Sequence, residues 1–151
     1  MSFITKLKTA FGNSKTNSAT AISDTTDAII NDIEHQPFAI SEHNVLYAGL
    51  NELGGYYFFQ TVIVGTFKIK TKKGAQLSIH GQTSTFTLES DSFELESDPT
   101  DIKGRSITKI DFQIEEQNVE KIHPKAIDQF SLSCDKQDII FSVIHLNDEE
   151  E

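Results

Sequence analysis

The sequence predicts a mainly β fold with a smaller α component (α+β). We expect about seven antiparallel strands in an up-and-down meander, strongly curled or barrel-like, with one or two N-terminal helices packing on it. Two observations support this class. From Tyr56 onward apolar residues alternate with polar ones, and turn residues separate these stretches. The strand–helix–strand alternation that builds parallel α/β enzymes is missing from the pattern.

The N-terminal elements are the helical part of this prediction. Residues 1–20 carry three lysines and no acid, and apolar residues within 1–11 fall on one helix face. This segment is flexible or a short amphipathic helix, and a membrane or partner anchor is the less favoured interpretation because few charges support it. Residues 23–38 predict a helix with an apolar stripe that ends near Pro37; the stripe contains Ile29, Ile30 and Ile33. Residues 40–55 fit both a strand and a helix.

Three hairpin turns follow from matching apolar residues across strands. The proposed turns are at residues 72–74, 82–83 and 90–91, and they set Ile69 opposite Leu77, Ile79 opposite Phe86 and Leu88 opposite Phe93. Two continuous apolar rows result: Phe67, Ile79, Phe86, Leu95 and Ile69, Leu77, Leu88, Phe93. Independent turns that converge on one face favour this register.

The C-terminal half continues the same pattern. Residues 97–106 are a loop by their Pro, Gly and Asp content. In the next strand the inward-facing residues are Ile110, Phe112 and Ile114. A final hairpin turning at residues 136–137 sets Cys134 opposite Ile139, Leu132 opposite Phe141 and Phe130 opposite Val143. We therefore divide the chain into residues 1–20, one β-rich domain with its N-terminal helix (21–147) and an acidic disordered tail (148–151).

The strand at residues 56–64 is apolar on both faces. The final strand has a similar surplus, so we expect the two strands to lie close together, as when a curled meander brings its ends together. The candidate packing or interface patch is Val62, Val64, Ile140 and Ile144. Either the helix with Ile29, Ile30 and Ile33 or a second copy of the chain covers it, and the helix is favoured.

Composition and motifs restrict the function classes. A net charge of −10 argues against nucleic-acid binding, which requires clustered Lys and Arg. The N-terminus lacks a signal-peptide pattern and no stretch reaches the ~20 apolar residues of a membrane helix, so we expect a soluble cytoplasmic protein. The five histidines have no metal-ligand spacing, and Cys134 is expected to be an inert buried thiol. The sequence thus predicts no catalytic, cofactor-binding or metal-binding residue.

Three functions stay open, in order of preference. The first is a non-enzymatic cytoplasmic protein-interaction module, whose partner is another protein or a second copy of the chain. The second is a binding protein for an apolar small molecule inside the curled sheet, with a cavity lined by Phe59, Phe67, Phe86, Phe93, Phe112 and Phe141. The third is an enzyme of a class that lacks local sequence motifs.

Overall fold

A computed structural model describes residues 21–33 and 35–144. The predicted segment 1–20 and tail 148–151 lie outside the described residues. The helices are α1 (Ala21–Asp32) and α2 (Glu116–Val119), with a 3-10 turn at Pro124–Ala126. The strands are β1 (Ala39–Ile40), β2 (Asn44–Leu53), β3 (Tyr56–Gly65), β4 (Lys70–Thr71), β5 (Gln76–Gly81), β6 (Thr85–Glu89), β7 (Leu95–Glu96), β8 (Asp98–Pro99), β9 (Ser106–Ile114), β10 (Ile127–Cys134) and β11 (Gln137–Val143).

Nine of these strands form one curled antiparallel sheet, a half-barrel. Its order is β6-β5-β10-β11-β1-β2-β3-β9-β8, and β4 and β7 form a separate two-stranded sheet. The two sides of the curl approach each other where Ser90 bridges to Phe112 and the Asp91 N–H donates to the Asp111 carbonyl at 2.7 Å. The mainly β, antiparallel and curled architecture is therefore confirmed, whereas the up-and-down meander order is wrong.

The register predictions had mixed outcomes. The turn at residues 82–83 is confirmed, because Ile79 pairs with Phe86 and Leu77 with Leu88. The turn at 72–74 does not join neighbouring strands: β4 pairs with β7, and β5 pairs with β10. Strand β10 offers apolar partners on the same face, with Phe130 opposite Ile79 and Leu132 opposite Leu77.

The predicted hairpin at residues 90–91 is also wrong. Ser90 stays in register with β5 through its N–H bond to the Ala75 carbonyl, at 2.9 Å, while Asp91 bonds across to β9. The chain therefore leaves β6 instead of reversing onto it. Phe93 consequently does not face Leu88 and is 67% exposed.

The final hairpin turns one residue earlier than predicted, which shifts the cross-strand partners by two residues. Cys134 pairs with Gln137 and Phe130 with Phe141, which leaves a two-residue turn at 135–136. Asp135 has a φ of 53°, a left-handed conformation that Asp tolerates and that such tight turns require. A shift of two residues preserves the faces, so Phe130, Leu132 and Phe141 still lie in the core.

The segment that fitted both a strand and a helix is strand β2. Leu53 pairs with Tyr56 across a turn formed by Gly54 and Gly55, whose φ values are 61° and 88°. Both positive values match a type I′ turn, which glycine adopts without steric cost. The glycine pair therefore explains why the β2–β3 hairpin forms here.

The sheet buries apolar residues on both of its faces. The concave face holds the main core, in which the rings of Phe38, Phe59 and Phe130 contact one another at centroid distances of 5.5–5.9 Å. The convex face of β2 and β3 is covered by α1, whose Ile29 and Ile30 pack with Val45, Tyr47 and Val64. The Arg105 guanidinium links this region to the end of α1 through Asp32, at 2.8 Å.

Tyr47, which packs beneath α1, makes the stability of the fold sensitive to alkaline pH. Its hydroxyl is buried without a hydrogen-bond partner among the described residues. Burial raises the pKa of Tyr47 from 10.0 to about 12, against a smaller opposite effect of Arg105. The folded state thus resists ionisation of the Tyr47 hydroxyl, whereas the unfolded chain ionises at the ordinary pKa. The free energy of unfolding should therefore fall by up to about 2–3 kcal/mol between about pH 10 and about pH 12.

Tyr47→Phe is expected to remove this part of the alkaline loss while costing little at neutral pH, because no described hydrogen bond is broken. Urea unfolding of both proteins at about pH 8 and about pH 11 measures it. An equal loss of stability in the two proteins would contradict the assignment to Tyr47.

Candidate functional site

The predicted packing patch is divided between two environments. Val64 is buried beneath α1 and Val62 is half-buried against the same cluster. Ile140, by contrast, is 59% exposed on β11, and Ile144 is half-buried. The expected proximity of the two strands is wrong, because β1 and β2 separate β11 from β3. The apolar convex face is formed instead by β3 and its neighbour β2.

The six phenylalanines expected to line a cavity are likewise divided. Phe59, Phe112 and Phe141 are fully buried, and Phe67 is nearly so. They belong to the same packed cluster as Phe130, and Phe86 packs against it. Their side chains occupy the interior of the curl. Phe93 lies apart from them on the surface.

A groove of about 820 Å³ lies where the curled sheet opens beside β6. One wall is residues 87–91, and the other is formed by the end of β9 and the start of α2. We call it the acidic groove, and its lining residues are Gly55, Tyr56, Tyr57, Thr87, Leu88, Glu89, Ser90, Asp91, Phe93, Gln113, Ile114, Glu115, Glu116 and Asn118. Two of its aromatic residues are strongly exposed, Tyr56 at 72% and Phe93 at 67%.

The β6 wall of the groove is an open sheet edge. Within the described residues, β6 forms a ladder along one side only, with β5, and on its other side the chain meets β9 only at the bridge from Ser90 to Phe112. The Gly81 N–H donates to the Ser84 carbonyl, so even-numbered residues of β6 direct their backbone groups toward β5. The backbone N–H and C=O groups of Thr85, Thr87 and Glu89 therefore point away from β5. The Glu89 carbonyl takes part in the antiparallel bridge between Ser90 and Phe112, so the free groups are those of Thr85 and Thr87. We call these groups the β6 edge.

The charge in the acidic groove is of one sign. Four carboxylates line it, those of Glu89, Asp91, Glu115 and Glu116, and the lining contains no Lys or Arg. The charges of Glu52 and Glu116, with a smaller contribution from burial, raise the pKa of Tyr57 above its usual value. Asp91 accepts a hydrogen bond from Gln113 at 2.7 Å, which holds its carboxylate near the groove wall. The site thus presents negative charge beside exposed aromatic rings.

A second groove of about 650 Å³ lies on the other side of Phe93. It shares Glu89 and Ser90 with the acidic groove, but Lys73 and Lys136 also line it, so its charges are mixed. Cys134 lies at its wall, where the thiol approaches the Gly74 carbonyl at 3.7 Å and burial raises its pKa. Such a thiol is a poor nucleophile at neutral pH.

The acidic groove was not predicted from the sequence. The available signal was Phe93, an aromatic residue within an acidic stretch, which the predicted hairpin assigned to the core.

Among the described residues, no group of three His, Cys, Asp or Glu side chains could hold a metal ion. None of the described helices has the length and apolar character needed to cross a membrane.

Comparisons of the chain with protein-family models, with curated proteins and with solved structures find no match. We therefore infer the function from the geometry of the acidic groove.

Proposed function

We propose that this protein is a non-enzymatic interaction module that binds an extended segment of a partner protein in the acidic groove. The observation that carries the proposal is the position of the open β6 edge along one wall of this groove. An unpaired edge is a template for an additional strand, a common mode of peptide recognition. The partner segment would extend the sheet beside β6.

The β6 edge supplies the main-chain part of the interaction. Thr85 and Thr87 each offer one N–H and one C=O group. A typical hydrogen bond contributes about 0.5–1.5 kcal/mol net, so these groups can align a segment but give only modest affinity. Tyr56 and Phe93 add apolar contact area of the kind enriched at interfaces.

The lining charges define the partner's chemistry. Four carboxylates without a cation in the lining favour a segment that carries Lys or Arg. Such cations could pair with the carboxylates and lie over the exposed faces of Tyr56 or Phe93. The protein's net charge of −10 would accelerate encounter with a basic partner. We therefore propose a basic, extended segment as the ligand.

Peptide binding tests the proposal. The probe is a fluorescent peptide of about eight residues in which Lys alternates with Val, compared with a Glu–Val counterpart. We expect fluorescence anisotropy to detect binding of the Lys peptide only, with weaker binding at about 200 mM than at about 50 mM salt. Equal binding of both peptides, or binding of neither, would contradict a cation-selective groove.

Two variants and one control variant locate the binding. Glu89→Gln combined with Glu115→Gln should weaken the Lys peptide several-fold, whereas Glu96→Gln, at an exposed acid outside the groove lining, should not. Thr87→Pro removes an outward N–H and keeps the backbone bonds between β6 and β5, although it removes the exposed bond between the Thr87 and Ser78 hydroxyls. This variant should keep the circular dichroism spectrum of the unmodified protein and lose peptide binding. Unaltered affinity in Thr87→Pro would rule out strand addition at β6.

A further inference from the structure

The distal half of β2 forms a second open sheet edge, far from β6 in the strand order. Strand β1 pairs only with Val45 and Leu46 of β2. The Phe38 N–H donates to the Leu46 carbonyl at 2.8 Å, and no backbone bond beyond it on this side occurs among the described residues. Strand β2 continues for seven more residues, to Leu53. These residues have one paired side, toward β3.

The tight turn at residues 54–55 determines which backbone groups are free. Leu53 and Tyr56 flank the turn as a hydrogen-bonded pair, so odd-numbered residues of β2 bond to β3. The accepting carbonyls of Asn44 and Leu46 on the other side fit the same alternation. The free N–H and C=O groups therefore belong to Ala48, Leu50 and Glu52, which we call the β2 edge.

The β2 edge lacks the features that usually prevent strands from associating. Its ten-residue ladder with β3 is continuous, without a bulge, and the strand contains no Pro or Lys. The only charged residue is Glu52. Two of its leucines face solvent, Leu50 at 41% and Leu53 at 67% exposure. A long edge without a bulge and of this composition is a site for pairing with another strand.

We propose that a second copy of this chain pairs with the β2 edge in antiparallel orientation, with Leu50 opposite Leu50. In this register Ala48 lies opposite Glu52 of the second copy. The three free N–H and three free C=O groups of each chain are then all paired around a two-fold axis. The half-barrels join through one continuous sheet.

Alternative registers are less favourable. An axis at Glu52 places two carboxylates directly opposite each other, which repels chains that already carry a net charge of −10. An axis at Gly49 would need the Leu46 carbonyl, which Phe38 already occupies, and an axis at Asn51 extends pairing into the turn at Gly54. The Leu50 register uses every free group and opposes Glu52 with a neutral alanine.

Disulfide trapping of the full chain tests this interface. Hydrogen-bonded antiparallel partners have Cα atoms about 5.5 Å apart, within the range that a disulfide can bridge. Leu50→Cys should therefore form a covalent dimer rapidly on mild oxidation. The native Cys134 is buried, so the unmodified chain serves as one control. Thr85→Cys, an exposed position on the β6 edge, serves as the matched control for random collision.

Light scattering of the unmodified chain at up to about 100 μM should give the mass of two chains, and Leu50→Lys should give the mass of one. A monomeric unmodified chain would overturn the proposal. So would Leu50→Cys cross-linking no faster than Thr85→Cys, because a dimer would then use another surface. Peptide binding at β6 involves a different edge, so its outcome is independent of these results.

Discussion

Replacing Val64 with Asp should lower the free energy of unfolding by about 3–5 kcal/mol, since it leaves an unpaired carboxylate in an apolar cluster. Val64 is 2% exposed and packs with Ile29 and Ile30 of α1. Small domains have a free energy of unfolding of only about 5–15 kcal/mol, so a large fraction of the Val64→Asp molecules should be unfolded at equilibrium in mild urea. Urea titration followed by circular dichroism measures the loss.

Ile140→Asp is the matched control for this substitution. It introduces the same charge in another strand that the sequence assigned to the same patch, but Ile140 is largely exposed. Surface substitutions usually change stability by less than about 0.5 kcal/mol. Similar losses in the two variants would contradict the division of the patch into a helix-covered part and an exposed part.

Gly65→Ala should destabilise the protein by about 3 kcal/mol or more. Gly65 ends β3 with a φ of 152°, and an added Cβ would collide with the His43 carbonyl and the Asn44 side chain. That side chain accepts the Phe67 N–H at 2.8 Å in a buried position. Moving Asn44 would therefore leave a buried backbone donor unpaired as well as straining the chain.

Gly49→Ala provides the comparison within the same hairpin. A Cβ at Gly49 would meet no atom within 4 Å. Replacing a strand glycine that has ordinary dihedral angles should leave stability unchanged or raise it by up to about 1 kcal/mol. Thermal unfolding of the two variants should thus show opposite or clearly unequal shifts. A neutral Gly65→Ala would mean that β2 and β3 separate there without cost.

Local features of the fold could be predicted from the sequence, whereas most strand partners could not. The alternation of apolar residues assigned Phe59, Phe112 and Phe141 to buried positions correctly, because side-chain direction depends only on the period of the strand. The turn at residues 82–83 was found because apolar pairing there is local. The pairing of β5 with β10 involves residues about fifty positions apart, for which a local pattern contains no information.

The candidate site was not predictable for a related reason. The acidic groove exists because β6 meets β9 at Ser90 and Asp91 but diverges from it elsewhere. The sequence shows that Phe93 is an aromatic residue among acidic ones. Matching apolar residues across the predicted turn at 90–91 nevertheless placed it in a buried cross-strand row. Only the path of residues 90–94 across the sheet opening places the ring on the surface. Sites that arise from incomplete sheet closure depend on the long-range order of strands.

The position of β10 and β11 between β5 and β1 in the sheet has a consequence for biosynthesis. Strands β2, β3 and β9 can pair with one another before β10 is synthesised, but the β5–β6 hairpin then has no neighbour on its other side. Its apolar face, with Leu77 and Ile79, would remain accessible until β10 emerges from the ribosome. Assembly of the core is therefore expected to be a late event in translation, which favours protection of the nascent chain by chaperones.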